Sequence, residues 1–302
     1  MNKQDLTQMI AQILEEMGQP PQVKAGEYHP RVPQPEAKPT PYGDGDFVPD
    51  VTELDLRKLY LTEAPENGEK FRKMKARTPA RLGSGKAGPR YKTLTMLRFR
   101  ADHAAAQDAV FSQVSEDFAA KNGMAEVQTR CHDKDEYLTR PDYGRCFDEE
   151  NQRKIRAAIP GTPQVQIVVG DGLSSAAIEA NAMDCLQALR EGLKLKGIDP
   201  GNPIFVRYCR VGAGDAIGDV TGCELVCMLV GERPGLVTDK SMSAYITYQP
   251  RTGVSESART VVSNIHAQGT PAVEAGAHIA DLIDTILKRK VSGVGLHLEA
   301  VR

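Results

Sequence analysis

The sequence predicts an α/β fold, a mainly parallel sheet with flanking helices behind an N-terminal helical and linker extension. Three observations carry that expectation. Val226–Val230 is an unbroken apolar run that stops at Gly231. Val165–Val169, interrupted only by Gln166, runs into Gly170 in the same way. Such runs, without polar alternation, suit strands buried on both faces. Stripes of apolar residues at helical spacing alternate with them, the order expected of a parallel sheet.

The elements follow in chain order. Residues 1–18 carry Leu6, Ile10, Ile13, Leu14 and Met17 on one helical stripe, with Gly18 as a stop. That stripe fits a partly solvated terminus or a docking peptide for another protein surface. Residues 19–50 collect eight prolines and few large apolar groups, as an extended linker does. Residues 51–76 read as helical through Leu54, Leu56, Leu59 and Tyr60, and 77–100 are rich in glycine and basic residues. The segment 51–100 is therefore expected to contact a partner, and 101–302 to form the α/β domain. Within it, helices are expected near 102–121, 147–158 and 212–221, and strands near 125–130, 203–208, 224–230 and 243–248. Residues 137–145 read as a loop. Ser174 is placed to cap a long helix whose stripe (Ile178, Ala182, Cys185, Leu186, Leu189, Leu193) ends at Gly197. Thr270-Pro271 opens the last long helix, which ends at the cations Lys288, Arg289 and Lys290.

Composition excludes several classes. A net charge of −2 implies no bulk affinity for nucleic acid. No apolar stretch approaches the ~18 residues of a membrane helix, and the N-terminus lacks the basic start and apolar core of a signal peptide. The six cysteines form no CxxC pair, which suits a reducing, cytoplasmic setting better than a disulfide framework. The six histidines show neither i, i+4 pairs nor cysteines at ligand spacing, so no zinc site is expected.

Two motifs invite an oxidoreductase or a basic binding module. Gly83–Gly88 spells GxGxxG, but no apolar strand precedes it, and Pro89 would break the helix a dinucleotide site requires. The basic run from Arg72 to Arg100 has little aromatic interleaving, so a solvated face or an acidic protein partner suits it better than nucleic acid. Three further clusters end apolar segments: Arg207–Val211, Gly231–Gly235 and Arg259–Ile265. Loops from neighbouring strand ends can converge on one ligand. By themselves they indicate an amide- or phosphate-rich ligand, or a set of Arg–Glu pairs finishing the strands.

The motifs Ala80–Arg90, Leu97–His103, Tyr137–Asp142, Asp171–Ser174, Phe205–Tyr208, Val230–Leu236 and Ser263–His266 occur in this order. Together they resemble the small (light) subunit of ethanolamine ammonia-lyase over about residues 77–290. The resemblance implies a Rossmann-like domain capping part of adenosylcobalamin. It also implies a large-subunit partner, six of each chain, that holds substrate and carries the radical chemistry converting ethanolamine to acetaldehyde and ammonia. No catalytic residue is then expected in this chain. The matching positions imply cobalamin contacts at Val211, Glu232 and Val261. The resemblance implies cysteine in many relatives where this chain has Val261, so only a backbone or apolar contact survives there. Arg210 or Arg233 is the candidate partner for the phosphodiester tail. The Asp-x-His-x-x-Gly pattern is absent at Asp102-His103, which implies that the cofactor keeps its own nucleotide base on cobalt. Residues 1–18 are similar to short signals that direct enzymes into bacterial microcompartments, by binding a shell or cargo protein.

Overall fold

The computed structural model describes residues 50–55 and 57–299. The expected amphipathic helix and proline-rich linker, and Leu56, lie outside them.

The chain places six strands in one sheet: β3 (Ala125–Gln128), β4 (Val165–Gly170), β5 (Ile204–Arg207), β6 (Leu225–Gly231), β7 (Met242–Tyr248) and β8 (Arg259–Ile265). Their spatial order is β3-β5-β4-β6-β7-β8. The first four pair in parallel, and β7 and β8 add antiparallel. A separate two-stranded hairpin pairs β1 (Lys86–Ala87) with β2 (Arg90–Tyr91). Gly88 begins its turn at φ +62°, a left-handed value suited to the first position of a two-residue hairpin.

The apolar runs divide their side chains between two cores. Ile167, Val169, Cys227 and Leu229 face α6 (Ser175–Leu195) and α8 (Ala272–Arg289). Val168, Val226, Met228 and Val230 face α5 (Glu149–Ala158) and α7 (Ala213–Thr221). Burial on both faces explains the lack of alternation. The expected stripe on α6 is fully inside, and each buried Leu contributes about 1.5–3 kcal/mol relative to an exposed one. Ser174 Oγ accepts the Ala177 N–H at 3.1 Å, the cap its position implied. At the other end the Gly197 N–H bonds Leu193's neighbour Lys194 at 3.0 Å and the Ile198 N–H reaches Leu193 at 3.0 Å, a Schellman closure. Gly276 lets α8 cross α6 closely, since a Cβ there would lie 2.4 Å from the Cys185 carbonyl oxygen.

Four expected elements differ. The helix expected over 51–76 is a 3-10 turn at Val51–Glu53 and a short helix, α1 (Gly68–Lys75). Pro65 disfavours helical backbone at Ala64, which takes φ 41° instead. The helix expected over 102–121 is α2 (Thr93–Phe111) followed by a separate turn, α3 (Phe118–Lys121). Its start was hidden because residues 93–100 show no apolar stripe. Its end is set by side chains: the Val114 N–H goes to Asp171 Oδ2 (3.2 Å) and the Ser115 N–H to Glu179 Oε1 (2.9 Å). The loop expected at 137–145 contains the end of α4 (Lys134–Thr139) and a 3-10 turn at Tyr143–Arg145. Arg259–Ile265, expected as a ligand loop, is the edge strand β8. Its sequence hid this because one face is largely polar or exposed.

Among the described residues no helix is long and apolar enough to cross a membrane. Five cysteines are buried and Cys146 is half-buried. Burial pushes the Cys185 thiol up to about 12 and raises Cys131, Cys209, Cys223 and Cys227 as well. Thiolate is the reactive form. A maleimide added to the folded chain at pH 8 is therefore expected to label Cys146 first, with the other five reacting only on unfolding; peptide mapping of a brief pulse checks this, and early labelling of Cys209 or Cys227 would contradict it.

Candidate functional site

Ligands of open α/β sheets sit at the carboxyl ends of the strands, where successive crossovers leave on opposite faces. Here that point lies between β4, whose helix α6 covers one face, and β5, whose helix α7 covers the other. The chain fills this crevice itself. The Asp171 N–H bonds the Val206 carbonyl at 2.8 Å, and the Cys209 N–H bonds the Asp171 carbonyl at 2.7 Å. The buried Tyr137 hydroxyl donates to the Cys209 carbonyl at 3.2 Å, and Lys134 Nζ donates to the Gly172 carbonyl at 3.2 Å. The Arg210 guanidinium lies 4.3 Å from the centre of the Tyr137 ring and donates to the Tyr137 carbonyl at 2.7 Å. Desolvation raises the Asp171 carboxyl, opposed by the hydrogen bond from Ser175, and desolvation lowers the Lys134 ammonium, opposed by the charge of Asp171. The Asp171–Ser174 turn is thus a sealed joint.

The open surface lies one step along the sheet, on the face of β7 and β8 beyond α7. Gly231 ends β6, and Glu232 is the first residue past it. The Glu232 N–H bonds the Ser241 carbonyl at 2.9 Å, closing the loop between β6 and β7. Its carboxylate is fixed by two donors to the same oxygen, Oε1: the Ser243 hydroxyl at 2.5 Å and the Asn264 backbone N–H at 2.9 Å. Oε2 has no partner among the described residues. The second donor depends on a local irregularity. The register of β7 and β8 shifts between Met242 and Ala244, and Asn264 takes φ +65°, turning its N–H toward Glu232.

Val261 sits mid-strand in β8 directly opposite Tyr245. Its neighbour Val262 packs into the core under α6 and α8, so Val261 points the other way and is 46% exposed. Tyr245 shares that face, half-buried against the core under α5 and α7. Val211 is on the turn that opens α7, half-buried. One turn into that helix, Asp215 forms a bidentate pair with Arg259, two residues before Val261. The three expected residues therefore come from three elements that are cross-linked: α7 to β8 by Asp215–Arg259, and β6 to β8 by Glu232–Asn264. The fixed carboxylate of Glu232 and the outward side chains of Tyr245 and Val261 form a shelf on one face of the sheet, with Val211 on the turn that opens α7.

The arginines of the three clusters divide by role. Arg207 pairs with Glu126 at 2.5 Å, and Arg259 with Asp215 and Glu256, so both finish strands. Arg210 belongs to the sealed crevice. Arg233 is exposed and has no ion pair among the described residues. Sequence reasoning missed Ser243, Tyr245 and the Asn264 N–H. The first two lie at alternate positions of a strand, which places them on one face; the N–H has no signal in a sequence. The Gly83–Gly88 segment contains β1 and the first residue of the hairpin turn, with no buried strand before it and no helix opening within it, and so lacks the geometry of a dinucleotide site.

A doubly wound, mixed-sheet α/β chain with a sealed switch point and a fixed carboxylate beside it is Rossmann-like in architecture. The comparisons name the group. Residues 68–297 match the model of the ethanolamine ammonia-lyase light chain (EutC) family. The ethanolamine ammonia-lyase small subunit of Clostridium perfringens is 54% identical over 296 residues, covering 98% of this chain and 100% of the relative. That of Clostridioides difficile is 53% identical over 299 residues, with the same coverage, and that of Listeria innocua is 54% identical over 296. The chain belongs to the ethanolamine ammonia-lyase light-chain family.

Proposed function

We propose that the chain is the small subunit of an adenosylcobalamin-dependent ethanolamine ammonia-lyase, active only with its large subunit, and that its shelf forms part of the wall around the coenzyme. The family membership supports the activity. The single observation that supports the site is the Glu232 carboxylate, held by Ser243 and Asn264 with one oxygen still able to accept. A corrin ring is rimmed by amides and methyl groups. A fixed carboxylate suits the amide N–H groups through charge-assisted hydrogen bonds, and Val261, Tyr245 and Val211 suit the apolar rim. The residues present therefore fit the group. When bound, the coenzyme supplies the radical by homolysis of its cobalt–carbon bond.

This chain's part is to bind and orient. Glu232 fixes the ring's rotation, and the valines exclude water from one edge. Substrate contacts and proton transfers belong to the large subunit in this reading, in an assembly of six large and six small chains. Residues 1–18 serve as the tag that brings the enzyme to a microcompartment shell or cargo protein.

The test is reconstitution. The chain alone, the large subunit alone and the two together are given adenosylcobalamin while the visible spectrum and acetaldehyde formation are followed. A bound-coenzyme spectrum and activity in the mixture alone are expected; a coenzyme site complete in either chain by itself would overturn the reading. In the reconstituted enzyme Glu232→Ala is expected to weaken coenzyme binding by about 1.5–3 kcal/mol, roughly ten- to a hundredfold. Equilibrium dialysis measures this, and unchanged affinity would remove Glu232 from the site.

A further inference from the structure

The Glu232 shelf depends on the loop 232–241, and that loop is anchored unevenly. Its C-terminal half is tied to α6: Ser174 Oγ donates to the Asp239 carbonyl, and Asn181 Nδ2 donates to the Lys240 carbonyl at 2.9 Å. Among the described residues its tip has no apolar anchor, Leu236 being 42% and Val237 57% exposed. The tip's outside tie is a hydrogen bond from Arg81 Nη2 to the Leu236 carbonyl.

Arg81 is itself held. Its Nη2 pairs with Asp102 Oδ2 at 2.5 Å, and its guanidinium lies 4.8 Å from the centre of the Phe99 ring. Asp102 also receives Arg98 Nε at 2.9 and 3.0 Å. Arg98 Nη1 in turn reaches the carbonyls of Val51, Thr52 and Leu54, each at 2.8 Å. The side chains of Arg81 and Arg98 are 15% exposed and that of Asp102 12%. One mostly buried carboxylate thus joins four separate stretches of chain: 51–54, residue 81, α2 and the tip of the 232–241 loop. Two guanidiniums on one carboxylate, each also donating to backbone carbonyls, make a junction that fixes main chain.

We propose that Asp102 is a positioning residue for the coenzyme shelf: through Arg81 it holds the tip of the 232–241 loop, and through Arg98 it joins that loop to the start of the described chain. This rests on the shelf being the coenzyme site. It assigns a task in this enzyme to the Arg81 and Arg98–Asp102 positions that is separate from contact with any ligand. It also gives a route by which a partner gripping residues 51–54 would steady Glu232, since both ends meet at one carboxylate.

The test compares wild type, Arg81→Ala, Arg81→Lys and Asp102→Asn as full chains reconstituted with the large subunit, and reads two quantities. The first is hydrogen–deuterium exchange of peptides covering 233–241, with peptides from β4 and β6 as internal controls. The second is the dissociation constant of adenosylcobalamin. Arg81→Ala and Asp102→Asn are expected to speed exchange at 235–238 by about tenfold, the loss of one hydrogen bond, with the control strands unchanged. Coenzyme affinity should fall in step, and Arg81→Lys, which keeps a donor, should recover part of both. Glu232→Ala separates the two ideas, because it should weaken the coenzyme without speeding exchange at the tip. Faster exchange with unchanged affinity overturns the positioning role. Unchanged exchange overturns the junction. Acceleration across the control strands as well shows a general loss of stability and also overturns it. If wild type binds no coenzyme, the shelf reading fails, while the exchange arm still decides whether the junction holds the loop.

Discussion

Arg259→Leu is expected to destabilise the chain by about 3–5 kcal/mol, because it strands a charge that the fold has buried. Arg259 donates to both Asp215 oxygens, at 2.9 and 2.7 Å, to Thr247 Oγ1 at 3.1 Å and to Glu256 at 2.7 Å. The two side chains of the central pair are only 3% and 8% exposed. The hydrogen bonds from Arg259 to Asp215 hold the guanidinium charged, well above its ordinary range. The cost of the single substitution is chiefly that of leaving the buried Asp215 carboxyl group without its partner. Replacing both with apolar residues of similar volume removes that cost, so Asp215→Leu combined with Arg259→Leu should be closer to wild type than either alone. Urea unfolding of the four proteins at pH 7 closes the cycle. A single-variant cost below about 1 kcal/mol, the range of an exposed pair, would show that the pair is not sealed as described.

Gly231→Ala is expected to cost about 3 kcal/mol or more and to abolish coenzyme binding in the reconstituted enzyme. Overpacking in a core costs typically ~1–3 kcal/mol when side chains can shift. Here backbone stands in the way. A Cβ at 231 would lie 2.0 Å from the Ser174 carbonyl oxygen and 3.0 Å from its nitrogen. Ser174 caps α6, and Gly231 is paired with Met242 across the sheet. The clash must therefore push the end of β6, and Glu232 with it, away from Ser243 and Asn264. Gly235→Ala is the control in the same loop: among the described residues nothing lies within 4 Å of its added Cβ, and a change within about ±0.5 kcal/mol is expected. Thermal unfolding and coenzyme titration of both variants check this. Equal behaviour of the two would refute the tight contact between β6 and the α6 cap.

The contrast between these glycines shows what the sequence revealed and what it withheld. β6 and β4 were legible because strands buried on both faces must be apolar throughout, and α6 because a long helix covering a sheet needs a full stripe and caps. Glu232 was legible as a carboxylate just past a strand end. β8 was hidden, since an edge strand with one exposed face carries Ser263 and Asn264 where a central strand would carry apolar residues. The start of α2 was hidden because Thr95 is the one residue of its first two turns that is buried, and a stretch that buries so little shows no stripe. The sealed crevice could not be read at all. Lys134 and Tyr137 reach it from a short helix far away in sequence, and their partners are backbone carbonyls. The same holds for the Asn264 N–H at Glu232 and for Arg81 at Leu236. Main-chain groups are present at every residue, so composition and spacing carry no trace of which ones a fold will use.

The most direct measurement is a structure of the two-chain assembly with adenosylcobalamin bound. Glu232 Oε2 should lie about 2.7–3.2 Å from an amide nitrogen on the corrin rim, with Val211 and Val261 within about 4.5 Å of its methyl or methylene groups. A coenzyme enclosed by the large subunit alone, with no atom of this chain in contact, would contradict the proposal.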